Sequence, residues 1–145
     1  MQHAYRWLIL VVILAVLPLL ACNNDSVVHD AEHPAEVEHI EGTEFSRVTF
    51  SERAMERIGV QTDTVREVRM SPPRFAVPYS AILYTSHGET WVYTCPAPRT
   101  FVRRQVEVDY IEGDTAFLTK GPEAGTVVAS VGVAEIYGTE FEVGH

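Results

Sequence analysis

The stretch from residue 90 to residue 110 reads TWVYTCPAPRTFVRRQVEVDY, and it decides the fold class. Its first part, Thr90–Cys95, is rich in β-branched and aromatic residues, which favour extended strands. Its second part, Phe101–Tyr110, alternates apolar and polar residues with the period of two that a half-buried strand shows. The pair Arg103–Arg104 interrupts this alternation, which predicts a β-bulge or an edge position there.

Similar segments lie on both sides of this stretch, separated by turn residues at the spacing typical of small β-sandwiches and barrels. Extended segments are predicted at residues 45–50, 60–68, 76–84, 115–119 and 126–131, with residues 132–137 completing the domain. The segment 76–84 is expected to form a hairpin with Thr90–Cys95. One short helix, Glu52–Ile58, is predicted from its N-cap Ser51 and its terminating Gly59. We therefore predict an all-β fold, a small barrel or sandwich of about six to eight strands with one short helix.

The charge divides the chain into unequal parts. The 145 residues carry a net charge of −9, but residues 22–45 contain seven acidic residues and neither lysine nor arginine. We expect this part to be a solvated acidic tether, and residues 46–145 to form the β domain. Without a basic stripe, nucleic-acid binding is not expected.

The N-terminal residues 1–21 have the pattern of a secretory signal. Trp7–Leu20 is apolar, and a helix of that length spans about 21 Å, less than the roughly 30 Å of a hydrocarbon core. The boundary Leu19-Leu20-Ala21-Cys22 resembles the bacterial lipobox, in which the cysteine thiol receives a diacylglyceryl group. We therefore expect Cys22 to carry a covalent lipid that anchors the chain at the periplasmic face of the inner or outer membrane.

Three histidines lie among the carboxylates of the tether, at His29, His33 and His39. Imidazole and carboxylate groups are good ligands for zinc or copper, so metal capture is chemically allowed. The alternative is a plain spacer with incidental histidines, because the segment offers no cysteine ligand and no repeated spacing. Both interpretations remain open at this point.

Motifs of catalysis are missing from the sequence. It contains no G-x-S-x-G, no P-loop and no H-E-x-x-H. Cys95 is expected to pack as a small apolar residue within its strand. We therefore predict a protein that is not an enzyme.

Seven short segments, taken in order, resemble the periplasmic adaptors (membrane fusion proteins) of tripartite resistance-nodulation-division efflux pumps. Two come from the start of that family's chains, FSRVTFSE at 45–52 and IGVQTDTV at 58–65. The others resemble its C-terminal run: VPYSAIL at 77–83, WVY at 91–93, FVRRQVEV at 101–108, GPEAGTVV at 121–128 and GVAEIYG at 132–138. The resemblance covers roughly residues 45–141, and many such adaptors are also lipoproteins.

The resemblance implies that both ends of the chain build the membrane-proximal domain, which docks on the transporter. A full adaptor carries a lipoyl-like domain, a helical hairpin and a β-barrel domain between those ends. Here residues 69–76, with Pro72-Pro73 among them, connect the two parts directly. The resemblance therefore implies the membrane-proximal domain alone, without the parts that reach an outer-membrane channel.

The functional prediction that follows is docking on an inner-membrane efflux transporter or on a full-length adaptor, in the export of metal ions or drugs. The predicted docking surfaces are the exposed faces of the Val77–Tyr93 hairpin and the Phe101–Tyr110 strand, with Tyr93, Arg103 and Arg104 as contact residues. Two alternatives remain: an envelope lipoprotein that binds metal through the tether histidines, and an adaptor remnant without function.

Overall fold

A computed structural model describes residues 33–141, so the predictions for Cys22 and His29 lie outside the described residues. The described part contains ten strands: β1 Ala35–His39, β2 Ser46–Phe50, β3 Gln61–Thr64, β4 Arg66–Val68, β5 Arg74–Pro78, β6 Leu83–Tyr84, β7 Thr90–Ala97, β8 Thr100–Glu112, β9 Thr115–Lys120 and β10 Val127–Val131. Two α-helices, α1 Glu52–Ile58 and α2 Val133–Glu140, accompany the strands, with a 3₁₀ turn at Tyr79–Ala81. The predicted all-β fold is confirmed.

The sheet closes almost completely into a barrel. Its strands follow the order β3-β10-β7-β8-β9-β5-β4, and every pairing is antiparallel. β3 and β4 are consecutive parts of one stretch, interrupted only at Val65. The N–H of Val65 donates to the carbonyl of Thr126 at 2.8 Å, and its carbonyl accepts from the N–H of Gly125 at 2.9 Å. The two ends of the strand order therefore meet in the stretch 61–68, which brings the barrel close to full closure.

Two hydrophobic cores lie on opposite sides of the barrel wall. Alternate residues of a strand face opposite sides, so Val92 and Val128 point into the barrel while Tyr93 and Ala129 point outward. The inner core contains Val65, Val77, Ala81, Ile82, Val92, Val106, Ala116, Leu118 and Val128. The outer core contains Val48, Phe50, Ala54, Tyr93, Phe101, Ala129, Val133 and Ile136. The outer core thus joins the barrel wall to β2 and both helices.

The helix predicted at Glu52–Ile58 is confirmed together with its caps. The Ser51 hydroxyl accepts a hydrogen bond from the N–H of Ala54 at 3.2 Å. Gly59 adopts the left-handed conformation at φ 68° that glycine accepts without strain. The prediction of a single helix was incomplete, because residues 133–140 form α2, whose N-cap Gly132 also has a positive φ of 82°.

One prediction about an individual strand was wrong, and a second was wrong in part. The segment 76–84 is not one hairpin arm: its first residues belong to β5, the 3₁₀ turn follows, and only Leu83 and Tyr84 pair with β7. No bulge lies at Arg103–Arg104, since these residues pair in register with β7. On its other side β8 pairs with β2 up to Val102 and with β9 from Glu107, so no strand among residues 33–141 pairs with Arg103 and Arg104 there. The register shifts of β8 lie instead between Glu107 and Tyr110, where it pairs with β9, and opposite Thr94–Ala97, where it pairs with β7.

The predicted boundary of the tether at residue 45 was also wrong. Residues 35–39 form β1, which pairs in register with β2 from Ala35 opposite Phe50 to His39 opposite Ser46. Ala35 packs against the outer core, although the rest of β1 is exposed. The sheet therefore begins about ten residues earlier than the charge pattern indicated.

Candidate functional site

A buried polar cluster ties α2 to the outer face of the barrel. The hydroxyl of Tyr93 donates to Oε2 of Glu140 at 2.5 Å, and Nε of Arg103 lies 3.4 Å from the same oxygen. The other carboxylate oxygen of Glu140 accepts from the N–H of Ser46 at 3.5 Å. Burial of the charges of Arg103 and Glu140 is tolerated because each faces the opposite charge.

Three aromatic rings surround the guanidinium of Arg103. Its central carbon lies 4.5 Å from the ring centre of Trp91, 5.0 Å from that of Phe141 and 5.6 Å from that of Phe45. A cation over an aromatic face is attracted by the ring quadrupole, and more strongly where water is excluded. The three rings and the Glu140 carboxylate together account for the position of a buried arginine at the centre of the sheet.

The electrostatics of the cluster favour a neutral tyrosine. Burial raises the pKa of Tyr93 far above its usual value, and the hydrogen bond to the Glu140 carboxylate raises it further. A phenol that stays protonated donates to the carboxylate but does not act as a base. The cluster therefore fastens a helix to the sheet and contains no activated nucleophile.

This arrangement contradicts two of the three predicted docking residues. Tyr93 is fully buried and Arg103 is 8% exposed, so neither is available on an outer surface. Arg104 points away from the cluster and is exposed, as the prediction requires. The alternation of the strand explains the difference, because neighbouring residues of β8 face opposite sides.

The remaining members of the cluster were missed in the sequence. Glu140 shares a helix face with Val133 and Ile136, the other two buried residues of α2. A carboxylate in line with apolar residues on one helix face indicates a buried partner, and this signal was present in the sequence. For Phe45 and Phe141 no comparable local signal exists, since they meet Arg103 only through the fold.

Two exposed tyrosines of the Val77–Tyr93 segment lie close together, and one of them, Tyr84, lines a groove. Tyr79 and Tyr84 are 44% and 50% exposed, and their ring centres are 6.5 Å apart. The groove next to Tyr84 measures about 390 Å³ and runs between residues 80–84 and residues 130–135. Apolar side chains such as Leu83, Val131 and Val133 line it. We call Tyr79, Tyr84 and this groove the tyrosine surface.

A second group of exposed apolar residues lies on the β8–β9 side. The rings of Tyr110 and Phe117 are stacked at 4.5 Å, and the Tyr110 hydroxyl lies 3.6 Å from the sulfur of Met70. Tyr110 and Met70 are about 40% exposed. Tyr110 thus gives the predicted docking strand one exposed aromatic residue.

The two described histidines of the predicted metal site are held apart. His33 precedes β1 and His39 ends it, and both are exposed. The four residue steps from Ala35 to His39 span about 13 Å at 3.3 Å per residue. Among residues 33–141 no three potential metal ligands come together. The structure therefore does not bring His33 and His39 to one site.

Cys95, whose reactivity bears on the predicted lack of catalysis, is a free cysteine in the described chain. Its thiol donates to the carbonyl of Ala97 at 3.1 Å. Partial burial raises the pKa of this thiol, which disfavours the reactive thiolate.

No family model, curated protein or solved structure matches this chain. Between residues 33 and 141, no helix has the length and apolar character needed to cross a membrane.

Proposed function

We propose that the chain is a lipid-anchored periplasmic adaptor-like subunit that docks on an inner-membrane efflux transporter. The observation that carries this proposal is the closure of the barrel by the stretch 61–68. Most of this stretch belongs to the N-terminal block of the adaptor resemblance, and its neighbour β10 begins within the C-terminal block. Its other neighbour, β5, runs from the connection at residues 69–76 into the C-terminal block. One barrel built from both blocks is the arrangement that the resemblance implies for a membrane-proximal domain.

The connection between the two blocks is short and well supported by contacts. The guanidinium of Arg74 donates to the carbonyls of Pro72 and Pro73 at 3.1 and 3.3 Å. The same side chain forms an ion pair with Asp109 of β8 at 2.7 Å. These contacts favour a domain adapted to its short connection over a damaged remnant, which would have no reason to retain them.

The tyrosine surface is the contact region that we propose for the transporter. Exposed tyrosines beside an apolar groove are the kind of surface at which protein interfaces concentrate their binding energy. Tyr84 belongs to the hairpin predicted for docking, and its ring is half exposed. The proposed subunit acts by binding alone and performs no chemistry.

The proposed lipid at Cys22 sets the distance from the membrane. Eleven residue steps separate Cys22 from residue 33, and a fully extended chain spans about 3.4 Å per residue. The barrel would then stay within about 40 Å of the bilayer, close to the periplasmic surface of a transporter. Replacement of Cys22 by Ser should release the protein into the soluble fraction and abolish labelling by palmitate, whereas Cys95→Ser should change neither.

In-cell photocrosslinking tests the docking proposal. A photoreactive amino acid replaces Tyr84 in the full chain, and a matched control carries it at Glu123, an exposed loop residue outside the groove. We expect Tyr84 to capture a multispanning transporter or a full-length adaptor that Glu123 does not capture. Recovery of lipid alone, of a second copy, or of the same proteins from both positions would contradict the proposal.

A further inference from the structure

Within residues 33–141, β1 leaves one row of backbone hydrogen-bonding groups without a partner strand. The N–H of Ile40 donates to the carbonyl of Phe45, and the N–H of Ser51 donates to the carbonyl of Pro34. In an antiparallel pair the groups of alternate residues point toward the partner, so the even-numbered residues of β1 face β2. The N–H and C=O groups of Ala35, Val37 and His39 therefore point to the opposite side. No strand among residues 33–141 pairs with β1 on that side.

Two devices that block an edge strand, an outward proline and a bulge, are absent from this row. A proline would remove an outward N–H, but Pro34 is an even-numbered residue and its ring nitrogen faces β2. β1 is paired in register over all five residues, without a bulge. The edge is thus regular enough to accept an added strand, the mode of recognition known as β-augmentation.

The side chains of β1 specify what such a strand would carry. Glu36 and Glu38 share one face, whereas Ala35 and Val37 lie on the face of the outer core, opposite Phe50 and Val48. Val37 is 40% exposed, so an apolar neighbour would extend the outer core. Glu36 forms no ion pair within the described residues, and Glu38 pairs only with Arg47 at 2.7 Å on the surface.

A second copy of β1 would be a poor occupant of this edge. If two copies paired antiparallel about Val37, Glu36 of each would lie opposite Glu38 of the other. Like charges directly opposite each other destabilise a strand pair. A strand with lysine or arginine in those positions would instead be attracted.

We propose that the outer edge of β1 binds an extended segment of another protein in which basic residues alternate with β-branched ones. The segment pairs antiparallel with β1, as every strand in this sheet does. Its apolar residues lie opposite Ala35, Val37 and His39, and its basic residues lie opposite Glu36 and Glu38. This site uses no residue of the tyrosine surface and does not depend on the adaptor-like function.

The register makes the proposal sharply testable with synthetic peptides. The probe is an eight-residue peptide of alternating lysine and valine, titrated into the full chain and followed by fluorescence anisotropy. In the proposed pairing the valine N–H groups point at β1 and the lysine N–H groups point away. N-methylation of two central valines should therefore weaken binding by tenfold or more, since two backbone hydrogen bonds to β1 are lost. N-methylation of two central lysines, which gives a peptide of the same composition, should leave affinity nearly unchanged.

Variants of the protein itself test the same edge of β1. Val37→Pro removes an outward N–H without removing a hydrogen bond to β2, so it should abolish peptide binding while the chain stays folded by circular dichroism. Glu36→Lys should weaken binding about fivefold to tenfold at low salt, from reversal of one exposed charge pair. Glu123→Lys, which changes the net charge equally in a distant loop, should leave binding unchanged.

Several results would overturn the proposal. These are absence of peptide binding, equal sensitivity to both N-methylated peptides, and wild-type affinity of a folded Val37→Pro variant. If the Val37→Pro variant did not fold, the comparison of the two N-methylated peptides would still test the proposal, because that experiment uses the wild-type protein. A dimer of the full chain in sedimentation experiments that Val37→Pro dissociates would assign the edge to a second copy instead.

Discussion

The hydroxyl of Tyr93 lies 2.5 Å from a carboxylate oxygen of Glu140, and this contact connects the middle of β7 with the last residue of α2. Because Arg103 approaches the same oxygen at 3.4 Å, one buried carboxylate holds three elements together. An interior network of this kind is costly to leave partly satisfied.

Tyr93→Phe removes the hydroxyl and keeps the ring. Hydrogen bonds to a charged group contribute about 1.5–3 kcal/mol, so we expect the free energy of unfolding to fall by about 2 kcal/mol. Urea denaturation followed by tryptophan fluorescence measures the change. Tyr84→Phe, at an exposed position, should change stability by less than about 0.5 kcal/mol. Equal stability of both variants would show that the buried contact contributes nothing.

Glu140→Gln preserves the shape of the side chain and removes its charge. Arg103 then remains buried without an opposite charge, a change that costs about 3–5 kcal/mol. The double variant Arg103→Met/Glu140→Gln should recover part of this loss, because no charge is left buried. Denaturation of the single and double variants gives the coupling, with Glu123→Gln as an exposed control. Additive effects would argue against an energetic link between Arg103 and Glu140.

The raised pKa of Tyr93 predicts a loss of stability at alkaline pH. Burial is the main cause of the shift, and an unfolded tyrosine ionises near pH 10. The stabilisation by the neutral phenol is therefore complete below pH 10 and decreases as the pH rises toward the folded pKa. Between pH 9 and pH 11 the wild type should lose about 1.4 kcal/mol more than Tyr93→Phe, which lacks this group. Parallel pH profiles of the two proteins would contradict the shift.

Gly132→Ala should be strongly destabilising. Gly132 has φ 82°, and a Cβ there would lie 2.9 Å from a methyl group of Val60 and 3.1 Å from one of Ile58. We expect a cost of about 2–4 kcal/mol, combining left-handed strain with overpacking. Gly88→Ala is the matched control, because it has φ 83° and open space around the added methyl group. It should cost only about 1–2 kcal/mol, and a cost equal to that of Gly132→Ala would mean that packing plays no part.

Several elements were predictable because their signals are local. The strand Phe101–Tyr110 shows the period of two, and α1 has both a hydroxyl N-cap and a terminating glycine. These features act through the backbone of a few neighbouring residues. These local preferences therefore do not depend on the tertiary fold of the rest of the chain.

Other elements were misjudged because a charged residue was taken as exposed. The pair Arg103–Arg104 suggested a bulge, yet it pairs in register with β7, and Arg103 is buried among three aromatic rings. The acidic residues of β1 suggested a linker, although Ala35 and Val37 alternate with them on the side of the outer core. In both cases the residues that determine burial or strand pairing lie on another secondary-structure element.

The sequence by itself determined the all-β class, the positions of most strands, the first helix and the absence of common catalytic motifs. Only the tertiary structure decided that residues 61–68 close the barrel and that Tyr93 and Arg103 are buried. It alone also showed that no strand among residues 33–141 pairs with the outer edge of β1. The physical reason is the distance along the chain over which the interactions act. Propensity, period and capping act between near neighbours, whereas Tyr93 and Glu140 meet across 47 positions of the chain. Such a contact exists only once the sheet has placed β7 under α2.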